Sequence, residues 1–202
     1  MSLQKAMQYA AKHKITSSLV PRVGESLICR ARQNTLVDYM GREFDYLFTV
    51  DDDIEIPIDC IVKLVESGKD IIGGFYRLKK DHEAHTAIRP LYGNKTPLSD
   101  VFKNGSIHQV QYISTGCMLV ASRVIHEMVK KYPELEYDQN ITFKKAYAFY
   151  QPFIHTHPSG FREYLSEDWA FCQRATDAGF KVWADGSVRC GHWGLIKYDF
   201  EE

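Results

Sequence analysis

At 202 residues the chain is the length of one domain with a substantial core, and 45% hydrophobic with 25% charged residues is ordinary globular composition. A formal net charge of −1 supplies no basic field for gripping a nucleic-acid polymer, so an anionic ligand has to be held locally. No apolar run approaches the roughly 18–20 residues of a membrane span, and the N-terminus lacks the charged-then-apolar order of a signal peptide; a soluble, cytoplasmic protein is expected.

In chain order, residues 4–14 have helix-forming composition and are followed by a β-rich stretch, Ile15 to Val20. Pro21 and Gly24 punctuate a turn, and residues 25–40 read as a helix with apolar Leu27, Ile28, Ala31, Leu36 and Val37. Asp45 to Val50 is a short apolar run, the mark of a buried strand, and it ends abruptly in three aspartates. Pro57 suits a first helical turn, and the helix it opens continues over 58–66. Residues 70–76 (DIIGGFY) form another buried strand. Residues 77–109 are irregular, as functional or mobile loops are. Strands are expected over 109–114 and 117–121, a helix over about 122–131, and an extended stretch over 147–154. A helix over 166–178, capped by Ser166 and ended by Gly179, precedes short strands at 181–184 and 188–190. The alternation predicts an α/β fold: one domain over residues 1–202, with a mixed central sheet flanked by helices. Cys29, Cys60, Cys117, Cys172 and Cys190 are odd in number and hold no C-x-x-C pair, which argues against a disulfide framework or a zinc site.

The most informative string is Phe48-Thr49-Val50-Asp51-Asp52-Asp53. Alternate residues of an extended chain point the same way, so Asp51 and Asp53 can address one site at the carboxyl end of a strand, where open α/β sheets bind ligands. Hard oxygen ligands suit Mg²⁺ or Mn²⁺ sharing a diphosphate, and a cation would relieve the mutual repulsion of three acids. The bland alternative is a solvated acidic turn leading into the next helix. An EF-hand loop from Asp51 fails, because Ile56 and Val62 stand where Gly and Glu are required. A haloacid-dehalogenase-type phosphatase is disfavoured by Glu55 and by the lack of a later G-D-x-x-x-D.

Two later strings matter. Ser166-Glu167-Asp168 opens a helix with two carboxylates in its first turn, which the helix dipole alone would explain. Cys190-Gly191-His192-Trp193-Gly194 sets a histidine among glycines that permit close backbone approach. A strand ending in D-x-D, then Ser114 to Val120 (STGCMLV), then Glu-Asp opening a helix, then a late histidine, in that order, resembles the GT-A class of nucleotide-sugar glycosyltransferases, with its Rossmann-like sheet. The resemblance spans about 26–194 and is closest in flavour to compact enzymes of large DNA viruses and phages, which would act in the host cytoplasm.

The resemblance implies the following roles. Asp53 coordinates Mn²⁺ or Mg²⁺ on the diphosphate of a UDP- or GDP-sugar, Asp51 serves the metal or the donor ribose with Asp52 beside it, and His192 completes the metal shell. Asp168 is the general base toward a glycan or glycoprotein hydroxyl, and Glu167 is a sugar or acceptor contact. Arg30, Arg32 and Asn34 lie near the donor, although Gln33 interrupts the usual Arg-Asn pair. The strand that normally opens such enzymes is either absent, truncated away or replaced by Ile15 to Val20. Aromatics Tyr147, Phe149, Tyr150, Phe153, Phe161 and Tyr164 serve to stack on a sugar or to fill the core. Two alternatives are a non-catalytic nucleotide-sugar or glycan-binding domain and a sugar-nucleotide pyrophosphorylase, whose Gly-rich string is missing.

Overall fold

Successive residues of the central strands belong to opposite faces, and that alternation sets the layers. The computed structural model describes residues 2–79, 86–91, 105–139 and 144–199, and within them five α-helices flank a mixed six-stranded sheet. The sheet order is β1 (Tyr46–Val50), β6 (Cys117–Ala121), β3 (Ile71–Phe75), β11 (Val182–Arg189), β5 (Ile107–Tyr112) and β4 (Arg89–Pro90). β6 runs antiparallel to both β1 and β3, while β3 and β11 are parallel. Strands β1, β3 and β11 therefore point the same way, and their carboxyl ends share one edge. That edge carries the candidate site.

In β6, Met118 and Val120 join one core and Cys117 and Leu119 the other. The first core is closed by helices α2 (Ile28–Met40), α4 (Ser122–Lys131) and α5 (Glu167–Asp177), through Leu36, Val124, Ile125, Met128, Ala170 and Phe171 among others. The second is closed by α1 (Ser2–Lys12) and α3 (Cys60–Glu66). On α1 the small residues Ala6 and Ala10 sit one turn apart and are fully buried, which lets that helix lie close against α3. Gly73 in β3 has a related purpose: a Cβ there would meet Ile113 Cδ1 at 2.9 Å and press on the Cys117 carbonyl. All five cysteines are free. No helix among the described residues is long and apolar enough to cross a membrane.

Several expectations shift. Ile15 to Val20 forms no strand, so it does not take the place of an opening strand. Helix α2 begins at Ile28, because Glu25 is used ahead of it, accepting from the Leu27 N–H at 3.1 Å and from Arg30. The stretch 147–154 is not continuous: β8 (Lys145–Tyr147) and β9 (Phe153–Thr156) flank a turn whose Phe149 and Gln151 carbonyls accept from Arg174 Nη1 at 2.7 and 2.8 Å. Tyr147, Phe149 and Tyr150 are core residues, whereas Phe161 and Tyr164 are exposed. The two strands expected at 181–184 and 188–190 are one strand, β11, with a register shift between Ala184 and Arg189. Ser166 precedes α5 as expected but does not cap it by its side chain, since its hydroxyl goes to Asp168 Oδ1. Within the irregular 77–109 segment, β4, the start of β5 and an Arg77–Thr86 bridge are ordered. Residues 80–85 and 92–104 lie outside the described residues.

The remaining strands are short additions: β2 (Ile54–Glu55), β12 (Gly191–Trp193) and β13 (Lys197–Tyr198) form a small sheet in the order β13-β12-β2. β7 (Glu136–Asp138) pairs with β8, and β10 (Arg162–Leu165) pairs with β9.

Candidate functional site

The three aspartates follow β1 as a turn, not as extended chain. The Ile54 N–H donates to the Asp51 carbonyl at 3.1 Å, and the chain then enters β2. Asp51 and Asp53 consequently have different neighbours, and Asp52 is exposed. Asp51 pairs with Arg32 from α2, and Asp53 Oδ2 is 2.6 Å from Lys79 Nζ and 3.3 Å from His192 Nε2.

His192 reaches Asp53 because β12 pairs with β2, opposing His192 to Ile54, and because the Trp193 N–H donates to the Asp53 carbonyl at 2.8 Å. Its Nδ1 is 2.7 Å from the Arg77 carbonyl. A carbonyl has no proton to give, so Nδ1–H is the donor and Nε2 faces Asp53. The same Asp53 oxygen also takes the Lys79 ammonium, so His192 and Lys79 meet on one carboxylate. An Nδ1–H tied to a backbone carbonyl is also how metal-ligating histidines are commonly oriented. Tyr76 packs edge-on against the imidazole at a centroid distance of 5.1 Å, with its hydroxyl donating to Ser114 Oγ at 2.6 Å. Gly116 leaves room for it: a Cβ there would lie 2.9 Å from Tyr76 Cζ and 3.2 Å from Asp51 Oδ2.

Burial alone would raise the Asp53 carboxyl, but Lys79 and His192 outweigh it and hold it below the usual carboxylate range. Glu167 moves the other way: burial raises it, and the neighbouring Asp168 and Asp51 charges add to the effect against Arg32. Asp168 Oδ1 accepts from Ser166 and from the Trp169 N–H at 2.8 Å, which fixes the carboxylate at the head of α5. Asp168 also lines a cleft of ≈ 360 Å³ with Leu78, Arg89, Pro90 and Trp169. Arg89 stacks over Trp169 at 4.5 Å and pairs with Glu163. Arg32 Nε and the Tyr150 hydroxyl are buried without a hydrogen-bond partner among the described residues.

Of the residues expected near the donor, Arg32 meets Asp51, whereas Arg30 is committed to Glu25 on the exposed face. Asn34 is turned to Gln139, whose Nε2 donates to its Oδ1 at 2.6 Å. The sequence reading missed Tyr76, Gly116, Arg89 and Lys79. Tyr76 and Gly116 stand in strings that were noticed but given no role, while Lys79 sits in a segment with no pattern to read.

Two side chains, not three, converge at Asp53. Among the described residues no group of three or more His, Cys, Asp or Glu side chains forms a metal cage. Mg²⁺ and Mn²⁺ used with diphosphates take most of their shell from phosphate and water, so such a site needs few protein ligands. Two cis ligands at about 2.1 Å stand about 3.0 Å apart, close to the 3.3 Å between Asp53 Oδ2 and His192 Nε2. The donors present are one carboxylate, already paired with Lys79, and one imidazole.

The molecule is thus a mixed α/β protein with an acidic site at the carboxyl edge of its sheet. No known protein family and no curated protein matches the chain. Among solved structures it is similar to the crystal structure of A197 from STIV, at 11% sequence identity over 98% of this chain and 87% of that one, with a TM-score of 0.49. Nothing about activity transfers at that similarity.

Proposed function

We propose that the chain is a divalent-cation-dependent glycosyltransferase with a GT-A-like arrangement, taking a sugar from a UDP- or GDP-sugar to a hydroxyl of a glycan or glycoprotein. The observation that carries this reading is the Asp53–His192 pair, its imidazole oriented by the Arg77 carbonyl, at the strand edge where Leu78 opens into the cleft lined by Asp168. Asp53 and His192 would hold Mn²⁺ or Mg²⁺, which when bound supplies positive charge to the departing nucleoside diphosphate. Asp51, fixed by Arg32, faces the same edge and is suited to the donor's ribose or to the metal shell. Asp168 takes the acceptor hydroxyl's proton, with its orientation set by Ser166 and the Trp169 N–H. Glu167, beside Asp168 in the first turn of α5 and less acidic than an ordinary glutamate, is a second proton acceptor.

The test is release of nucleoside diphosphate from a panel of UDP- and GDP-sugars, with Mn²⁺ or with chelator. Metal-dependent release that disappears in Asp53→Ala and His192→Ala, with the fold intact by circular dichroism, is the expected result. No release from any sugar nucleotide, or release indifferent to metal and to both substitutions, would remove the proposal. A second reading is favoured by the pairing of Asp51 and Asp53 with Arg32 and Lys79: a non-catalytic nucleotide-sugar or glycan-binding domain. Metal-dependent binding without turnover distinguishes it.

A further inference from the structure

Three of the five thiols meet in the core closed by α1 and α3. Cys60 opens α3, Cys117 opens β6 and Cys190 follows β11, and each is at most 2% exposed. Cys60 Sγ lies 3.8 Å from Cys117 Sγ, in direct contact, although 57 residues separate the two in sequence. Cys190 comes within hydrogen-bonding reach of the same Cys117 sulfur. The other two thiols stand apart: Cys172 donates to the Ile113 carbonyl in the opposite core, and Cys29 is half-buried on α2.

Cys60 and Cys190 are not equivalent partners for Cys117. Strands β6 and β11 lie on either side of β3, and the Cys190 N–H donates to the Phe75 carbonyl of β3 at 2.9 Å. Two strand spacings put the Cys117 and Cys190 backbones roughly 9.5 Å apart, beyond the span of about 4.4–6.8 Å that a disulfide bridges. Their sulfurs approach only by leaning over Gly74, where a Cβ would stand 3.1 Å from Cys117 Sγ. Cys60 comes from the helix packed above the sheet and is free of that constraint. Hydrogen bonds from Cys190, from Cys60 and from the Gly74 N–H favour the ionised form of Cys117 against its burial, while contact with Cys117 and burial push both neighbours up. Cys117 is therefore the sulfur that reacts first.

We propose that Cys60 and Cys117 form a reversible oxidation site, at which a small peroxide converts the two thiols to an intrachain disulfide that ties α3 to the sheet. The Cys117 sulfur attacks one peroxide oxygen, the O–O bond breaks, and the departing hydroxide leaves as water with the thiol proton. The Cys60 sulfur then attacks the resulting sulfenic sulfur, expelling the second oxygen as water with the Cys60 proton. Two thiols lose two electrons in all, and one peroxide becomes two waters. A small dithiol reverses the bridge and is itself oxidised to a disulfide.

The full chain is incubated with hydrogen peroxide in the absence of denaturant, alkylated, and digested without reductant for peptide mapping by mass spectrometry. A Cys60–Cys117 linked peptide is expected from the wild type and from Cys190→Ala, and none from Cys60→Ala or Cys117→Ala; Cys60→Ser replaces any alanine variant that does not fold. The linked protein should melt roughly 5–15 °C above the reduced one, because the bridge closes a loop of 57 residues, and should return to the reduced Tm after dithiothreitol. No linked peptide, or one that forms only after denaturation, overturns the site. A Cys117–Cys190 link overturns the choice of partner, and a linked protein that melts no higher than the reduced one overturns the tie between α3 and the sheet.

Discussion

Gly116→Ala adds one methyl group at the point where the Asp51 backbone, Tyr76 and the imidazole of His192 are coupled. The new Cβ would stand 2.9 Å from Tyr76 Cζ, closer still to the hydroxyl, and 3.2 Å from Asp51 Oδ2. Ordinary contact begins near 3.4 Å, so the ring has to retreat by about 0.5 Å or more. Tyr76 is only 5% exposed, its hydroxyl is committed to Ser114, and its edge rests on His192, so it has little freedom to yield. Overpacking of this kind costs about 1–3 kcal/mol, which for a chain of this size lowers Tm by roughly 2–12 °C. The displaced ring should also move His192, so Mn²⁺-dependent UDP binding should fall together with stability. Combining Gly116→Ala with Tyr76→Phe removes the hydroxyl that is struck first; the double variant should be more stable than the sum of the two single effects by at least about 0.5 kcal/mol. Thermal melts and calorimetric UDP titrations of the four proteins read both effects. A Gly116→Ala protein with the wild-type Tm and wild-type UDP affinity would refute the packing argument and the coupling of Tyr76 to the site.

Three further outcomes are expected. Asp168→Asn should reduce turnover by something like 10²–10⁴-fold with donor affinity little changed, measured by steady-state and binding titrations; retained turnover would move the base to Glu167. Glu167 has a folded-state pKa raised above the 4.5 of an ordinary glutamate, so its favourable contribution belongs to the protonated form. That contribution is complete below about pH 4.5 and is lost as pH rises through the folded value. Glu167→Gln should therefore have a higher Tm than the wild type at pH 7, with the gap closing below pH 4.5; an equal or lower Tm at pH 7 would contradict it. Arg174→Met should cost about 1–3 kcal/mol in chemical denaturation by orphaning the Phe149 and Gln151 carbonyls, yet leave Mn²⁺ binding as it was; a loss of metal affinity would show that this turn supports the site.

Much of the frame was legible in local pattern. The runs Tyr46–Val50, Ile71–Phe75 and Cys117–Ala121 read as buried strands because both faces of the sheet are covered, which leaves continuous apolar sequence. Helix α4 was legible from its apolar period over Val124, Ile125 and Met128. Short strands such as β2 and β12 were not, since two or three residues carry no period and are defined by pairing with chain distant in sequence. Ile15 to Val20 had strand-like composition but pairs with no strand among the described residues, so composition alone did not make it a strand.

For the candidate site, the sequence by itself determined the chemical inventory: the acids after β1 are marked by an abrupt change from apolar to polar, the Glu-Asp pair by its place at the start of α5, and the late histidine by its flanking glycines. Tertiary structure decided which of them meet. β1, β3 and β11 run in the same direction, so 51–53, 76–79 and 190–192 leave the sheet at one edge although more than a hundred residues separate the first from the last. That convergence brings His192 and Lys79 to Asp53 and separates Asp51 toward Arg32, while Arg30, two residues before Arg32 on the same helix, turns to Glu25. Neighbours two positions apart on a helix face different directions, and no local pattern records which direction looks into the site.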